Sequence, residues 1–140
     1  MIRHIDKHLY TASTHTTGGR EGTAASSDGA LDVRLSPPGS GGTGTNPEQL
    51  FAAGYSACFI GAMRRAAAAL GIALPNDVSV DADVALGTTT DNGFALAARL
   101  AVTLPGLTDE QKRAVVDGAH QICPYSHATR GNIQVDLAVN

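Results

Sequence analysis

Two cysteines are the residues of this 140-residue chain most able to do chemistry. Cys58 lies in the apolar stretch GYSACFIGAM, and Cys123 lies in HQICPYSHATRG, 65 positions later. Each thiol can simply be packing material, because free cysteine is among the most often buried residue types. The two can instead form a reversible disulfide if the fold brings their Cα atoms within about 7 Å. The sequence leaves both interpretations open.

The surroundings of the two thiols predict different reactivities. Cys123 comes at the end of a predicted helix, where the negative end of the helix dipole disfavours a thiolate. Cys58 lies in an apolar segment, where desolvation raises a thiol pKa unless a cation is supplied. Arg20 in GGREG is the first candidate for that cation, because flanking glycines allow a close backbone approach. Arg20 can also be a plain exposed turn residue, and the alternative cations are Arg64, Arg65, Arg99 and Arg130.

A long helix is predicted to carry Cys58. Pro47 suits a first helical turn, Asn46 or Thr45 can cap it, and Thr45-x-x-Glu48 matches a capping box. The helix should continue to about residue 70. From residue 50 to residue 63 the only polar side chains are Tyr55 and Ser56, so this helix should be covered on every side.

The other predicted elements give the order βββ-α-ββ-α-β. Three short N-terminal strands surround GGREG and include LDVRL at 31–35, and a Gly- and Pro-rich loop follows them. Segments 77–86 and 94–104 are predicted strands joined by the TTTDNG turn, although the alanines of the second also favour helix. A helix over 107–123 begins with the capping box Thr108-x-x-Gln111 and ends at Pro124, and 132–139 is a last strand. This order predicts an α+β fold in a single domain, residues 1–140.

Composition and charge exclude several classes of protein. The net charge of −3 without a Lys/Arg block argues against nucleic-acid binding. No signal peptide is recognisable and no run approaches the ~18 apolar residues of a membrane span, so a cytoplasmic protein without membrane contact is expected. Two distant cysteines cannot form a paired CxxC zinc site. His120-x2-Cys123-x3-His127 has metal-ligand spacing but no evident fourth ligand, so no metal is expected.

Four stretches together resemble a known family. GTNPEQLFAAGYSACFIGAM and AHQICPYSHATRGNI, with TTGGREG and SSDGALDVRLS before them, are similar to the organic hydroperoxide resistance (Ohr) proteins of the OsmC/Ohr family. The resemblance covers essentially the whole chain in family order, and the CPYS form of the second motif is similar to the Ohr branch.

The resemblance implies a thiol peroxidase for organic and fatty-acid hydroperoxides. The residue matching Cys58 attacks the peroxide, the residue matching Cys123 resolves the product as a disulfide, and those matching Arg20 and Glu48 organise the pocket. The implied fold is an intertwined homodimer with two central helices flanked by β-sheets. The implied reductant is a dihydrolipoyl group on a lipoylated protein, and no metal, haem or flavin takes part.

Some expectations concern the pocket itself. Tyr125, Phe51, Phe59 and Met63 are predicted to line it and to offer apolar surface to an alkyl hydroperoxide, although several of them can simply be core. Ten residues of straight helix place Glu48 about 15 Å from Cys58 along the axis. Arg20 must therefore bridge that distance, the helix must break near Gly54, or Glu48 must come from the partner subunit. A redox sensor or a binding module for an apolar ligand, neither with turnover, is the alternative function.

Overall fold

The computed structural model describes residues 1–140 and divides the chain into two compact units, residues 1–47 and residues 48–140. The assignment of one domain to the whole chain stays a prediction.

The first unit contains a three-stranded antiparallel sheet. Its strands are β1 (Thr14–Thr17), β2 (Thr23–Ser26) and β3 (Asp32–Arg34), in the order β1-β2-β3. Arg20 lies in a single 3₁₀ turn, Gly19–Glu21, between β1 and β2. This connection needs glycine at 22, since a Cβ there would lie 1.7 Å from the Thr17 carbonyl oxygen. The three strands expected around GGREG and in LDVRL are confirmed.

The long helix α1 (Pro47–Leu70), which the sequence predicted, lies in the second unit except for its first residue. One face of α1 is buried and carries Tyr55, Phe59 and Met63. The opposite face stays exposed in the single chain and consists largely of small side chains, at Ala53, Ala57, Gly61 and Ala68. Between residues 50 and 63 the helix is thus largely apolar on both sides but covered on only one of them by its own chain.

A second three-stranded sheet follows α1. Strands β4 (Ser79–Thr88) and β5 (Phe94–Thr103) form an antiparallel hairpin, and β6 (Gln134–Val139) pairs in parallel with β5. The strand prediction for the alanine-rich segment 94–104 is therefore confirmed. Asn92 in the hairpin turn has a φ of 65°, a left-handed conformation that asparagine tolerates better than most residues.

Two helices connect β5 to β6. Helix α2 (Asp109–Ile122) starts with the predicted capping box, in which the Thr108 hydroxyl accepts from the Gln111 N–H and the Gln111 side chain accepts from the Thr108 N–H. Cys123 ends α2, as expected. The sequence predicted no helix between Pro124 and the last strand, but the structure has a six-residue helix there, α3 (Pro124–Thr129). Proline favours this start because its fixed φ suits a first helical position. The backbone N–H that proline lacks would have no partner within the helix at that position.

The hydrophobic core of the second unit joins α1, β5 and α2. Its fully buried side chains include Phe59 and Met63 from α1, Leu100 and Val102 from β5, and Val115 from α2. With two sheets and three helices, the molecule has the α+β fold class expected from the sequence. None of its helices combines the length and the apolar composition that a bilayer span requires.

Candidate active site

The two thiols meet inside the second unit. Cys123 Sγ lies 3.5 Å from Cys58 Sγ, although 65 positions separate the two residues in the chain. Cys58 is half-buried on α1, whereas Cys123 is completely buried between α2 and α3. Both are free thiols at this contact distance, so the proximity that the sequence left open is present.

A cleft of about 270 Å³ opens beside Cys58. Its other lining residues are Gly61, Ala62, Arg65, Ile122 and Pro124. Cys123 does not line this cleft. The cleft therefore borders Cys58 and not Cys123, and Arg65 is the only charged residue among those lining it.

The environment of Cys58 disfavours its thiolate within this unit. Burial raises the pKa of the Cys58 thiol, the backbone N–H of Tyr125 lowers it by hydrogen bonding, and the neighbouring Cys123 thiol raises it again. The net direction is upward. A reactive Cys58 at neutral pH consequently needs a cation, as the apolar surroundings in the sequence suggested.

The two residues expected to organise the pocket belong to different units. Arg20 lies in the 3₁₀ turn of the first unit, and Glu48 lies in the first turn of α1 in the second. Helix α1 continues without interruption through Gly54, so Glu48 and Cys58 are about 15 Å apart along its axis. Of the three ways to close that distance, a break in the helix is excluded. The roles of Arg20 and Glu48 stay predictions.

Tyr125 packs against α1 at a glycine, Gly54. A Cβ at Gly54 would lie 2.9 Å from the Tyr125 hydroxyl oxygen, so glycine lets the tyrosine ring lie on the helix backbone. The ring also contacts Phe51 and Tyr55, with centroids 6.0 and 5.7 Å away. Tyr125 keeps 37% of its surface exposed beside the thiols, whereas Phe51 is half-buried.

Phe59 and Met63 take a different position from Tyr125. Both are completely buried in the core of the second unit. None of the four predicted pocket residues, Phe51, Phe59, Met63 and Tyr125, lines the cleft beside Cys58. The expected contact of all four with substrate stays a prediction.

Sequence reasoning missed a group of hydrogen-bonded polar side chains, three of them buried, which includes residues on both sides of Cys123 in the chain. The Tyr55 hydroxyl lies 2.9 Å from Ser126 Oγ and 3.2 Å from Thr129 Oγ1, and His120 Nδ1 lies 2.9 Å from the same Ser126 Oγ. We call these four residues the hydroxyl network. The signal for it was Tyr55, because a tyrosine in an otherwise apolar helix must find a hydrogen-bond partner when it is buried.

The histidines of the suspected metal motif have other partners. His120 bonds to Ser126, and the pKa of its ring is lowered by burial and by Arg130. Arg130 in turn donates to the His120 carbonyl oxygen and lies 3.4 Å from His127 Nδ1. No group of three or more His, Cys, Asp or Glu side chains is arranged to hold a metal ion.

Comparison with known proteins agrees with the motifs. The family model described as OsmC-like protein matches residues 39–138. An organic hydroperoxide resistance protein of Xanthomonas axonopodis pv. citri is 54% identical over 138 residues, which cover 96% of each chain. The chain belongs to the OsmC/Ohr family.

Solved structures of the OsmC/Ohr family share the fold. The organic hydroperoxide resistance protein OhrB of Bacillus subtilis superposes with a TM-score of 0.89 at 42% identity, covering 95% of this chain and 100% of that one. A putative organic hydroperoxide resistance protein of Vibrio cholerae, with captopril bound in one of its active sites, gives a TM-score of 0.90 at 43% identity and covers 96% and 94%. The OsmC/Ohr fold expected from the sequence is thereby confirmed.

Proposed function

We propose that this protein takes part in resistance to organic hydroperoxides as a thiol peroxidase. The observation that carries the proposal is the pair of sulfurs 3.5 Å apart, of which only Cys58 borders an open cleft. Its OsmC/Ohr relatives, named for organic hydroperoxide resistance, support the same role.

The first step is attack by the Cys58 thiolate on the distal oxygen of the hydroperoxide. The O–O bond breaks and the distal oxygen with its hydrogen is transferred to sulfur, so Cys58 becomes a sulfenic acid. The alkoxide that leaves takes up a proton from solvent and becomes the alcohol. Cys58 suits this step because it is the thiol that lines the cleft. An apolar wall, formed in part by Ile122 and Pro124, suits the alkyl part of an organic hydroperoxide.

The second step forms the disulfide. The Cys123 sulfur attacks the sulfenic sulfur of Cys58, an S–S bond forms, and the Cys58 oxygen leaves as water with the Cys123 proton. A buried resolving thiol at contact distance favours this step over a second oxidation of Cys58. An external dithiol, for which we propose a dihydrolipoyl group on a lipoylated protein, then reduces the disulfide and is itself oxidised.

Arg20 and Glu48 complete the proposed site. The Arg20 guanidinium would offset the burial that raises the pKa of the Cys58 thiol and would donate to the peroxide oxygens during attack. Glu48 would fix the guanidinium through a bidentate pair. The chemistry is carried by sulfur, so the proposal includes no metal, haem or flavin.

A turnover measurement tests the proposed function. Reduced protein is incubated with tert-butyl hydroperoxide and excess dihydrolipoamide, and peroxide loss is compared with a sample lacking protein. We expect many peroxides consumed per protein, with one dithiol oxidised for each. A single turnover would instead indicate a redox sensor, and no turnover a protein that only binds an apolar ligand.

We also propose that the protein is a homodimer whose interface includes α1 between Leu50 and Met63. The exposed small side chains Ala53 and Ala57 support this, because a second copy could cover the face that the chain leaves bare. Sedimentation at micromolar concentration should give the dimer mass. Ala57→Glu should give monomers, while Ala73→Glu, at another exposed alanine, should not. A wild-type monomer would contradict the proposal.

A further inference from the structure

The hydroxyl network includes residues on both sides of Cys123 in the chain. His120 lies three residues before the cysteine at the end of α2, and Ser126 lies three residues after it in α3. Ser126 Oγ lies 2.9 Å from His120 Nδ1. The same oxygen lies 2.9 Å from the hydroxyl of Tyr55 on α1. One hydrogen-bonded cluster thus connects all three helices at the segment that carries Cys123.

With all four contacts formed as hydrogen bonds, the donors of the network are assigned in one way. The Thr129 hydroxyl donates to the Ser126 carbonyl oxygen at 3.3 Å, so its contact with Tyr55 needs the Tyr55 proton. The contact between Ser126 and Tyr55 then needs the Ser126 proton, and the remaining contact needs a proton on His120 Nδ1. Every hydroxyl donates once and accepts once, so no member can be removed without unpairing another.

Burial makes this arrangement rigid. Tyr55 and Ser126 have no exposed surface and Thr129 has 5%, so water cannot replace a lost partner. Leaving a buried hydroxyl unpaired is unfavourable, and a fully satisfied network resists deformation. The six-residue helix α3 is too short to be stable alone. Its position on α1, and with it that of Cys123, consequently depends on these hydrogen bonds.

Disulfide formation depends on that position. The two sulfurs must approach from 3.5 Å to a bond length of about 2.05 Å in a restricted geometry. Cys123 can rotate its side chain, but its backbone N–H is bonded to the Ala119 carbonyl and its carbonyl accepts from the His127 N–H. The place from which its sulfur attacks is thus set by how α2 and α3 are held.

We propose that Tyr55, Ser126 and His120 are positioning residues for the resolving step, in which the Cys123 thiol attacks the Cys58 sulfenic acid and water leaves. Their side-chain hydrogen bonds join them to one another and not to either sulfur, and they act by keeping Cys123 beside Cys58. The inference rests on the proposed peroxidase function, and it assigns these residues to the second step of the reaction and not to the first.

The test separates the two steps in single-turnover experiments with tert-butyl hydroperoxide. Rapid quenching with a sulfenic-acid trap gives the rate of the first step, and mass spectrometry gives the disulfide and the over-oxidised sulfinic acid. For Ser126→Ala and Tyr55→Phe we expect an unchanged first step. Disulfide formation should be slower by about fivefold, the factor for one net hydrogen bond of ~1 kcal/mol, and sulfinic acid should increase.

Two further comparisons make the test specific. His120→Asn retains an N–H donor near the position of Nδ1, whereas His120→Leu has none. The disulfide should therefore form faster in His120→Asn than in His120→Leu. Ser56→Ala is the matched control, because the Ser56 hydroxyl on the same helix donates to the Ala52 carbonyl and has no part in the network. A purely structural role would lower the melting temperature without changing the ratio of disulfide to sulfinic acid.

Equilibration with oxidised and reduced dithiothreitol, without peroxide, measures the equilibrium constant for forming the Cys58–Cys123 disulfide independently of the peroxide reaction. Ser126→Ala and Tyr55→Phe should each lower its formation constant relative to Ser56→Ala. Should wild type form no sulfenic acid, the proposed peroxidase function fails while this equilibrium still tests the positioning. Variants that match Ser56→Ala in both experiments, or that slow the first step as much as the second, would overturn the inference.

Discussion

Cys58→Ser is expected to reduce peroxide consumption to the rate without protein, whereas Cys123→Ser should still complete one round. The reason is access, since Cys58 lines the cleft, whereas Cys123 is completely buried and does not line it. Without Cys123, the Cys58 sulfenic acid has no internal thiol to attack it and is oxidised further to sulfinic acid.

Two measurements distinguish these variants. The amount of alcohol released per protein in a single mixing experiment should be near one for Cys123→Ser and near zero for Cys58→Ser. Mass spectrometry after excess peroxide should find two added oxygen atoms on Cys58 in Cys123→Ser and not in wild type. Equal loss of the first round in both variants would show that the assigned roles are wrong.

Arg20→Ala is expected to raise the pKa of the Cys58 thiol and to slow its reaction with peroxide at neutral pH. Burial is the largest of the causes that raise this pKa, so a thiolate that is abundant near neutral pH requires a compensating positive charge. Arg20→Lys should restore only part of the rate, because an ammonium keeps the charge but cannot form a planar bidentate pair with Glu48 while facing the sulfur.

The pH dependence of Cys58 alkylation measures this effect. All variants are made with Cys123→Ser, so that one thiol reports and the influence of the Cys123 thiol on the Cys58 pKa is absent from every curve. The alkylation rate should rise with pH through the Cys58 pKa. This rise should occur at lower pH in the protein that retains Arg20 than in the Arg20→Ala variant. Arg34→Ala, at an exposed arginine of β3, is the control for charge alone. If the alkylation curves of the protein with Arg20, of Arg20→Ala and of Arg20→Lys superimpose, Arg20 has no role beyond that of an exposed turn residue.

The sequence was sufficient for the elements that carry their own local signals. Helix α1 begins at Pro47 and α2 at the capping box of Thr108, because prolines and caps act within a few residues of where they stand. The hairpin turn before Phe94 decided between strand and helix for an alanine-rich segment, since turn chemistry is also local. The four family motifs gave the OsmC/Ohr fold, which local patterns alone do not specify.

Contacts between distant residues could not be read in this way. Tyr55 and Ser126 are 71 positions apart, and nothing in the pattern of either helix fixes the rotation that brings their hydroxyls together. The 3.5 Å contact of the thiols was only one of two open interpretations for the same reason. Helix α3 was missed because six residues are too few to show helical periodicity.

The separation of the cysteines along the chain also has a thermodynamic consequence. A bond between Cys58 and Cys123 would close a loop of 65 residues and restrict the unfolded chain. In the chain-entropy model this stabilises the folded state by about 4 kcal/mol. The reduced form, which is the one that meets peroxide, would then be the less stable form of the protein, and each catalytic cycle would alternately strengthen and relax the resistance of the whole second unit to unfolding.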